Sequence, residues 1–300
     1  NASAPTPIGG VAMTLLLHSP TWFQRRYTFM IENVAHNVPA DWVVQIFHTN
    51  TGQSLKGLQI NRGIARLVER GKVVLTTIPP EVWRAKRKRY ELMTERWIWD
   101  SVLAEQVLVF GGSSIICSNS PRRLAHFAHF DYIGPPWGAF GGRGGEGGIS
   151  LRRRSLMLRA IDYEFSKLRL PASASAAQLK ERQLVAAKGW GQEDRFFISR
   201  LIEMQKAGLL PSLRLADRND SSFFAATGAQ LLDQAVWAVS GTLPGLAFET
   251  RDRFLALCPE MKIFFPALHD PHCFGAQPQS EQCAASVCAL KPKTVRKGGC

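Results

Sequence analysis

Residues 106–151 read QVLVF followed by GGSSIICSNSPRRLAHFAHFDYIGPPWGAFGGRGGEGGISL. The apolar run Gln106-Val107-Leu108-Val109-Phe110 stops at Gly111-Gly112, as a buried parallel strand does at its C-terminal end. In open α/β sheets that end is where ligands sit. Downstream, Asp131-Tyr132-Ile133-Gly134-Pro135-Pro136-Trp137 reads as a rigid turn, and seven glycines follow between Gly138 and Gly148. Glycine lets backbone approach a ligand or another strand closely. A Gly-rich surface loop is the plain alternative. Against a mere linker stands the bracket of DYIGPPW on one side and Gly147-Gly148-Ile149-Ser150-Leu151-Arg152 on the other.

Upstream of this block, strand-like and helix-like segments alternate. Residues 11–18, 42–48 and 72–78 read as strands. Residues 22–37, 58–70 and 90–105 read as helices, the first with Phe23, Tyr27, Met30, Ile31 and Val34 on one face. Short connections between such segments imply βαβ units with right-handed crossovers. The expected class is therefore α/β, a mainly parallel sheet flanked by helices in a single domain over residues 11–265. A Pro/Gly/Ala leader at 1–10 is expected to be disordered, and a Cys-containing tail at 266–300 to be irregular. Beyond Leu151 the pattern predicts helices at 152–165 and 193–207, a low-complexity loop at 171–177, and short mixed pieces over 221–249 with turns at Gly241 and Pro244-Gly245.

The composition, 45% hydrophobic and 20% charged over 300 residues, is that of a globular chain. No run approaches the roughly 18 consecutive apolar residues of a membrane span, so no span is expected. The net charge of +13 points to acidic partners such as phosphates, nucleotides or polyanionic glycans. Residues 266–300 hold only four cations and two acids, so the excess lies in the body. Its densest cluster is Arg84, Lys86, Arg87, Lys88 and Arg89, read as a solvated helix face or as a polyanion-binding patch. Without an RNP-like strand, zinc-finger spacing or a basic region with heptads, nucleic acid is not an expected partner. None of the six cysteines forms a C-x-x-C pair. Four of them lie beyond residue 270, and that clustering suggests disulfides and a secretory or Golgi compartment. Asn1-Ala2-Ser3 and Asn219-Asp220-Ser221 are glycosylation sequons.

Candidate site residues follow from chemistry. Glu193 and Asp194 come after the turn Gly189-Trp190-Gly191-Gln192 and before an apolar-periodic run, so they sit at a helix start. There a carboxylate satisfies free backbone N–H groups and opposes the helix dipole. The same rigid placement suits a base that takes a proton from an acceptor hydroxyl. Asp131 reads either as an acceptor-site carboxylate or as a structural turn cap. Trp137 reads as a sugar-stacking ring or as plain packing. Arg152 is a candidate phosphate contact or a solvated cation.

Together these motifs resemble a glycosyltransferase-like family of largely uncharacterised proteins. Its signatures F-Q-T-D-S with a nearby Cys, D-Y-I-G-A-P-W, G-N-G-G-x-S-L-R and E-D-x-x-F appear in this chain as Phe110-Gly111-Gly112-Ser113-Ser114 with Cys117, as Asp131 to Trp137, as Gly145-Glu146-Gly147-Gly148-Ile149-Ser150-Leu151-Arg152 and as Glu193-Asp194-Arg195-Phe196-Phe197. The string GWGQED is similar to the GWGxED segment of β-1,4-galactosyltransferases. The resemblance, over about residues 11–265, implies a type A fold and an inverting nucleotide-sugar transferase acting on a glycan or protein hydroxyl. Asp194, with Glu193, would be catalytic. Ser113, Ser114, Gly147, Gly148 and Arg152 would bind the donor across the strand ends at 11–18 and 110–114. Two departures concern metal. Ser113 stands where the family has a strand-end aspartate, and Ala247, in Pro244-Gly245-Leu246-Ala247, where it has a late histidine. Loss of both ligands implies that the family-type manganese site is gone. The chain is then either a metal-independent transferase, with cations such as Arg152 stabilising the leaving group, or a catalytically degenerate binder of a glycan, nucleotide or protein partner.

Overall fold

The structure, a computed structural model, describes residues 8–17, 21–49, 61–83, 89–167, 192–227, 235–240 and 248–264. Expectations placed on residues 1–7, 84–88, 171–177, 189–191, 241–247 and 266–300 lie outside the described residues.

Strands β1 (Gly10–Leu16), β2 (Trp42–His48), β3 (Val73–Thr77) and β4 (Gln106–Phe110) are mutually parallel. They continue into β6 (Tyr132–Ile133) and β7 (Ile149–Arg153), giving the sheet order β3-β2-β1-β4-β7-β6 with β7 antiparallel to both neighbours. The fold is thus mixed α/β, a mostly parallel sheet flanked by helices. β1 at its centre is buried along its whole length, as a near-continuous apolar strand covered on both faces should be. Its period of two splits the core. Ala12 and Leu16 join Leu108 and Phe110 under the Thr21–Asn37 helix, which contributes Met30, Ile31 and Val34. Val11, Met13 and Leu15 join Val107 and Val109 on the other face. That face is covered by Trp99, by Met157 of the Arg154–Lys167 helix and by Phe197 of the Glu193–Lys206 helix.

A smaller sheet, in the order β5 (Ser114–Ile116), β9 (Ala238–Ser240), β8 (Ala225–Thr227), lies beside the C-terminal end of β4. The amide of Asn33 closes its edge, donating to Ile116 O at 2.9 Å and accepting from Ile116 N at 2.8 Å. A buried disulfide joins Cys117, just after β5, to Cys258, which follows the Phe248–Leu257 helix, across 141 residues of sequence.

Two segments differ from the sequence expectation. Residues 90–105 form two short helices, Arg89–Met93 and Arg96–Asp100. Thr94 Oγ1 bonds to Tyr90 O and Glu91 O, Glu95 is extended, and the buried Trp99 donates Nε1–H to Met93 O at 2.6 Å. These local bonds compete with a continuous helical ladder. The break lets Leu92, Met93, Ile98 and Trp99 all bury. The second difference is that Arg152 and Arg153 belong to β7, and the helix expected from 152 begins at Arg154. Strand alternation sends Ile149 and Leu151 to one core and Arg152 to the opposite face, a pattern hidden by the apolar residues further on.

Along the sheet the strand order turns outward in both directions from β1 and β4. Ligands in doubly wound sheets sit outside the carboxyl ends of the strands at such a switch point. Here that place is the end of β4, where Gly111 N–H donates to Gly148 O at 2.9 Å.

Candidate active site

The glycine run folds because it is glycine. Gly141, Gly142, Gly144 and Gly145 all have φ between +66° and +100°, which side-chain-bearing residues rarely adopt. The run returns on the DYIGPPW turn through Gly134 N–H to Gly144 O at 2.7 Å and Glu146 N–H to Pro135 O at 2.8 Å. Trp137 donates Nε1–H to Arg143 O at 2.9 Å and lies 5.4 Å from the Phe140 ring. This pins the loop as the wall of a cavity of about 490 Å³, within the roughly 300–1,000 Å³ of small-molecule sites.

Across from that wall begins the Glu193–Lys206 helix, with Glu193 and Asp194 in its first turn. Asp194 is buried, and both carboxylate oxygens accept backbone N–H groups. Oδ2 takes Gly147 N–H at 2.8 Å and Oδ1 takes its own neighbour Arg195 N–H at 2.7 Å. Each oxygen has a second lone pair, so a substrate hydroxyl can still be accepted. Burial first, and then the neighbouring Glu193, push the Asp194 pKa above the usual carboxylate value; the Gly147 and Arg195 N–H groups and Arg152 oppose this. A carboxylate raised toward neutrality in a cavity is a better proton acceptor than one in water.

Beneath the floor lies Arg152. Its side chain is fully enclosed, with the guanidinium 4.9 Å from the Tyr132 ring, Nη2 3.3 Å from Glu193 Oε1 and Nε donating to Ser150 Oγ at 2.8 Å. Gly147 is wedged between these groups. A Cβ there would come within 2.6 Å of Glu193 Oε1, 2.9 Å of Arg152 Nη2 and 3.2 Å of Asp194 Cβ. The requirement for glycine at 147 is therefore close approach rather than an unusual φ.

Of the residues singled out by sequence, Asp194, Glu193, Gly147, Gly148 and Trp137 come together around the cavity. Others do not. Ser114 is buried, its hydroxyl accepting from Gly111 N and donating to Gly148 O, and Ser113 lies half-buried in the turn before it; neither lines the cavity. Arg152 supports Glu193 from below instead of facing a ligand. Asp131 is occupied structurally, receiving Arg153 Nε at 2.8 Å and Arg214 N–H at 2.9 Å, and ties β7 to the 214 segment.

Sequence reasoning passed over two wall residues. Glu146 lines the cavity with its pKa raised, chiefly by burial and further by Asp194, against a hydrogen bond from Thr227. Its signal is the single carboxylate inside the glycine run, which otherwise carries only the charge of Arg143. Arg89 closes the strand-end side, donating Nη2–H to Phe110 O at 3.2 Å. Nothing in the sequence distinguishes it from its basic neighbours.

A divalent metal of the kind the motif resemblance implies does not fit the residues present. Ser113 offers a neutral hydroxyl, Asp194 is held by two backbone N–H groups, and Glu193 is paired with Arg152. Among the described residues no three His, Cys, Asp or Glu side chains group so as to hold an ion. Nor is any helix among them long and apolar enough to cross a membrane.

Fold and cavity define an α/β protein with a cavity at the switch point of a mainly parallel sheet. The chain belongs to the family described as protein of unknown function DUF5672, whose profile matches residues 72–231. No curated protein matches it. Among solved structures it is similar to the glycosyltransferase GlyE of Streptococcus pneumoniae TIGR4, at 11% identity and TM-score 0.35, over 59% of this chain and 42% of that one. The chain thus spans less than half the length of GlyE. It is also similar to the galactosyltransferase LgtC in complex with donor and acceptor sugar analogs, at 11% identity and TM-score 0.42, over 83% and 94% of the two chains. Mouse xyloside xylosyltransferase 1 in its apo form gives 10% identity and TM-score 0.42, over 78% and 97%.

Proposed function

We propose that the protein is a metal-independent, inverting glycosyltransferase that moves a sugar from a nucleotide-sugar to a hydroxyl of a glycan or protein. The observation that carries this reading is Asp194: a carboxylate of raised pKa, fixed by Gly147 N–H at 2.8 Å, on the wall of the cavity at the end of β4. The sequence motifs supply the reaction class. The donor lies along the Gly147-Gly148 segment of the wall, where the missing side chains let Glu193 and Asp194 pack against 147 and Ser240 against 148. Asp194 accepts the proton as the acceptor oxygen bonds to the anomeric carbon. The bond from that carbon to the diphosphate breaks on the opposite face, and its electron pair leaves with the diphosphate. Glu193, neutralised by Arg152, holds the helix start in place. The buried Cys117–Cys258 disulfide favours an oxidising compartment, in keeping with a secretory or Golgi location.

One feature favours the second reading, a degenerate binder. Both Asp194 oxygens already accept backbone N–H groups, as a purely structural clamp would.

The test is a thermal-shift panel of nucleoside diphosphates and their sugars in EDTA, because a ligand of the native state raises apparent stability. One nucleotide series raising Tm in EDTA is the expected result. No shift with any member, with or without manganese, overturns the reading.

A further inference from the structure

The geometry points to Arg89 as the residue that holds the diphosphate of the donor, at the end of β4, in the position that sequence alone gave to Arg152. The inference rests on the nucleotide-sugar reading and names the cation that the reading needs.

A diphosphate leaving group develops charge that something must offset, and in a site without a fitted metal that falls to fixed cations and N–H donors. Arg152 does not line the cavity: its side chain is fully enclosed, with Nη2 on Glu193, Nε on Ser150 and Nη1 buried without a partner. The cations that line the cavity are Arg89 and Arg195. Arg195 is exposed on the first turn of its helix, beside Asp194. Arg89 is half-buried and anchored, with Nη2–H on Phe110 O at 3.2 Å, the carbonyl of the last residue of β4. A Cβ at Gly111 would come within 2.9 Å of Arg89 Nη1 and 3.3 Å of Gly148 O. The absent side chain at 111 therefore seats the guanidinium against the strand end. Among the described residues no carboxylate pairs with it, and Phe110 O is its hydrogen-bond partner, which leaves its remaining N–H groups for a ligand.

The position gives the cavity two ends. Glu193 and Asp194 stand at Gly147, while Arg89 stands at Gly111, whose N–H donates to Gly148 O. An anion at the Arg89 end and a sugar at the Asp194 end match the order of groups in a nucleotide-sugar. Arginine suits the task because its planar fork meets two phosphate oxygens at once. The sequence of the basic run at 84–89 reads as a solvated face or a polyanion patch, yet its last member, Arg89, lines this cavity.

The experiment is calorimetric titration, in EDTA, of wild type, Arg89→Met and Arg89→Lys with inorganic pyrophosphate, with a set of nucleoside diphosphates and with the matching nucleosides. Thermal unfolding of each variant is measured in parallel. The expected result is a loss of roughly 10- to 100-fold in diphosphate and pyrophosphate affinity for Arg89→Met. Arg89→Lys should retain an intermediate affinity, nucleoside affinity should be unchanged, and Tm should stay near wild type. Wild-type binding of diphosphates that Arg89→Met leaves unaltered overturns the Arg89 assignment while the nucleotide reading stands. Pyrophosphate binding that needs Arg89, with no nucleotide binding, keeps the anion site and defeats the nucleotide reading. No binding of either by wild type overturns both. If Arg89→Met fails to fold, Arg89→Lys decides: unchanged diphosphate affinity there overturns the claim that the fork is required.

Discussion

Gly147 and Asp194 are fastened to each other, the backbone N–H of the first donating to Oδ2 of the second at 2.8 Å. Through this bond the glycine loop and the start of the Glu193–Lys206 helix form one rigid corner of the cavity. The carboxylate is aimed by backbone, not by a flexible side-chain partner.

Gly147→Ala should break that corner. The added methyl meets Glu193 Oε1 at 2.6 Å on the cavity wall, and the buried Arg152 Nη2 at 2.9 Å and Asp194 Cβ at 3.2 Å. Overpacking of this kind costs about 1–3 kcal/mol. Gly138→Ala, where a Cβ meets nothing within 4 Å, is the matched control and should stay within about 0.5 kcal/mol of wild type. Denaturant melts of the two variants check the difference.

The pH dependence follows from Asp194. Its folded pKa is raised, chiefly by burial, so the acid limb of kcat/KM should lie above the ordinary aspartate value of 3.8. For folding, a raised acid binds its proton more tightly in the native chain. Its contribution is therefore complete below the unfolded pKa and is lost as pH rises through the folded one. Asp194→Asn should accordingly lose less stability than wild type as pH rises through the mildly acidic range. Urea melts across that range read the sign directly.

Arg152 should behave as a buried charge partner. Its side chain is fully enclosed and that of Glu193 is 14% exposed, at 3.3 Å. Arg152→Met strands Glu193 and forfeits the ring contacts, so about 3–5 kcal/mol of stability should be lost. Adding Glu193→Gln removes the stranded charge and should restore part of that loss. A double-mutant cycle by thermal melting measures the coupling; strict additivity would mean that the pair is not an energetic unit.

The Cys117–Cys258 bond closes a span of 141 residues and ties the 248–264 segment against β5. Cys117→Ala with Cys258→Ala should cost roughly 2–5 kcal/mol. The check is a fall in Tm that reductant reproduces in wild type and leaves unchanged in the variant.

Much of this was legible in the chain itself. Alternating apolar runs gave β1 to β4 within a residue or two, because a strand buried on both faces must be apolar throughout, and β2 and β4 matched their expected bounds. The Gly147, Gly148, Glu193, Asp194 cluster was legible because glycine beside a ligand wall and acid at a helix start each have a local cause. What escaped was set by tertiary contacts. The split of 90–105 depends on Trp99 Nε1 capturing Met93 O. The burial of Arg152 depends on which face β7 turns to the aromatic core. Arg89 turns inward because Gly111, 22 residues on, leaves it room.

The most direct measurement is acceptor-dependent release of nucleoside diphosphate from a panel of nucleotide-sugars in EDTA, run beside donor binding, for wild type and Asp194→Asn. We expect wild type to turn over one donor class without metal. Asp194→Asn should bind that donor nearly as well and lose roughly 10²–10⁴ in turnover, the usual contribution of an acid–base group. Equal turnover by the variant, or release that appears only when manganese is restored, would contradict the assignment of Asp194 and of a metal-independent site. Donor binding with no release under either condition would show a degenerate transferase that only binds.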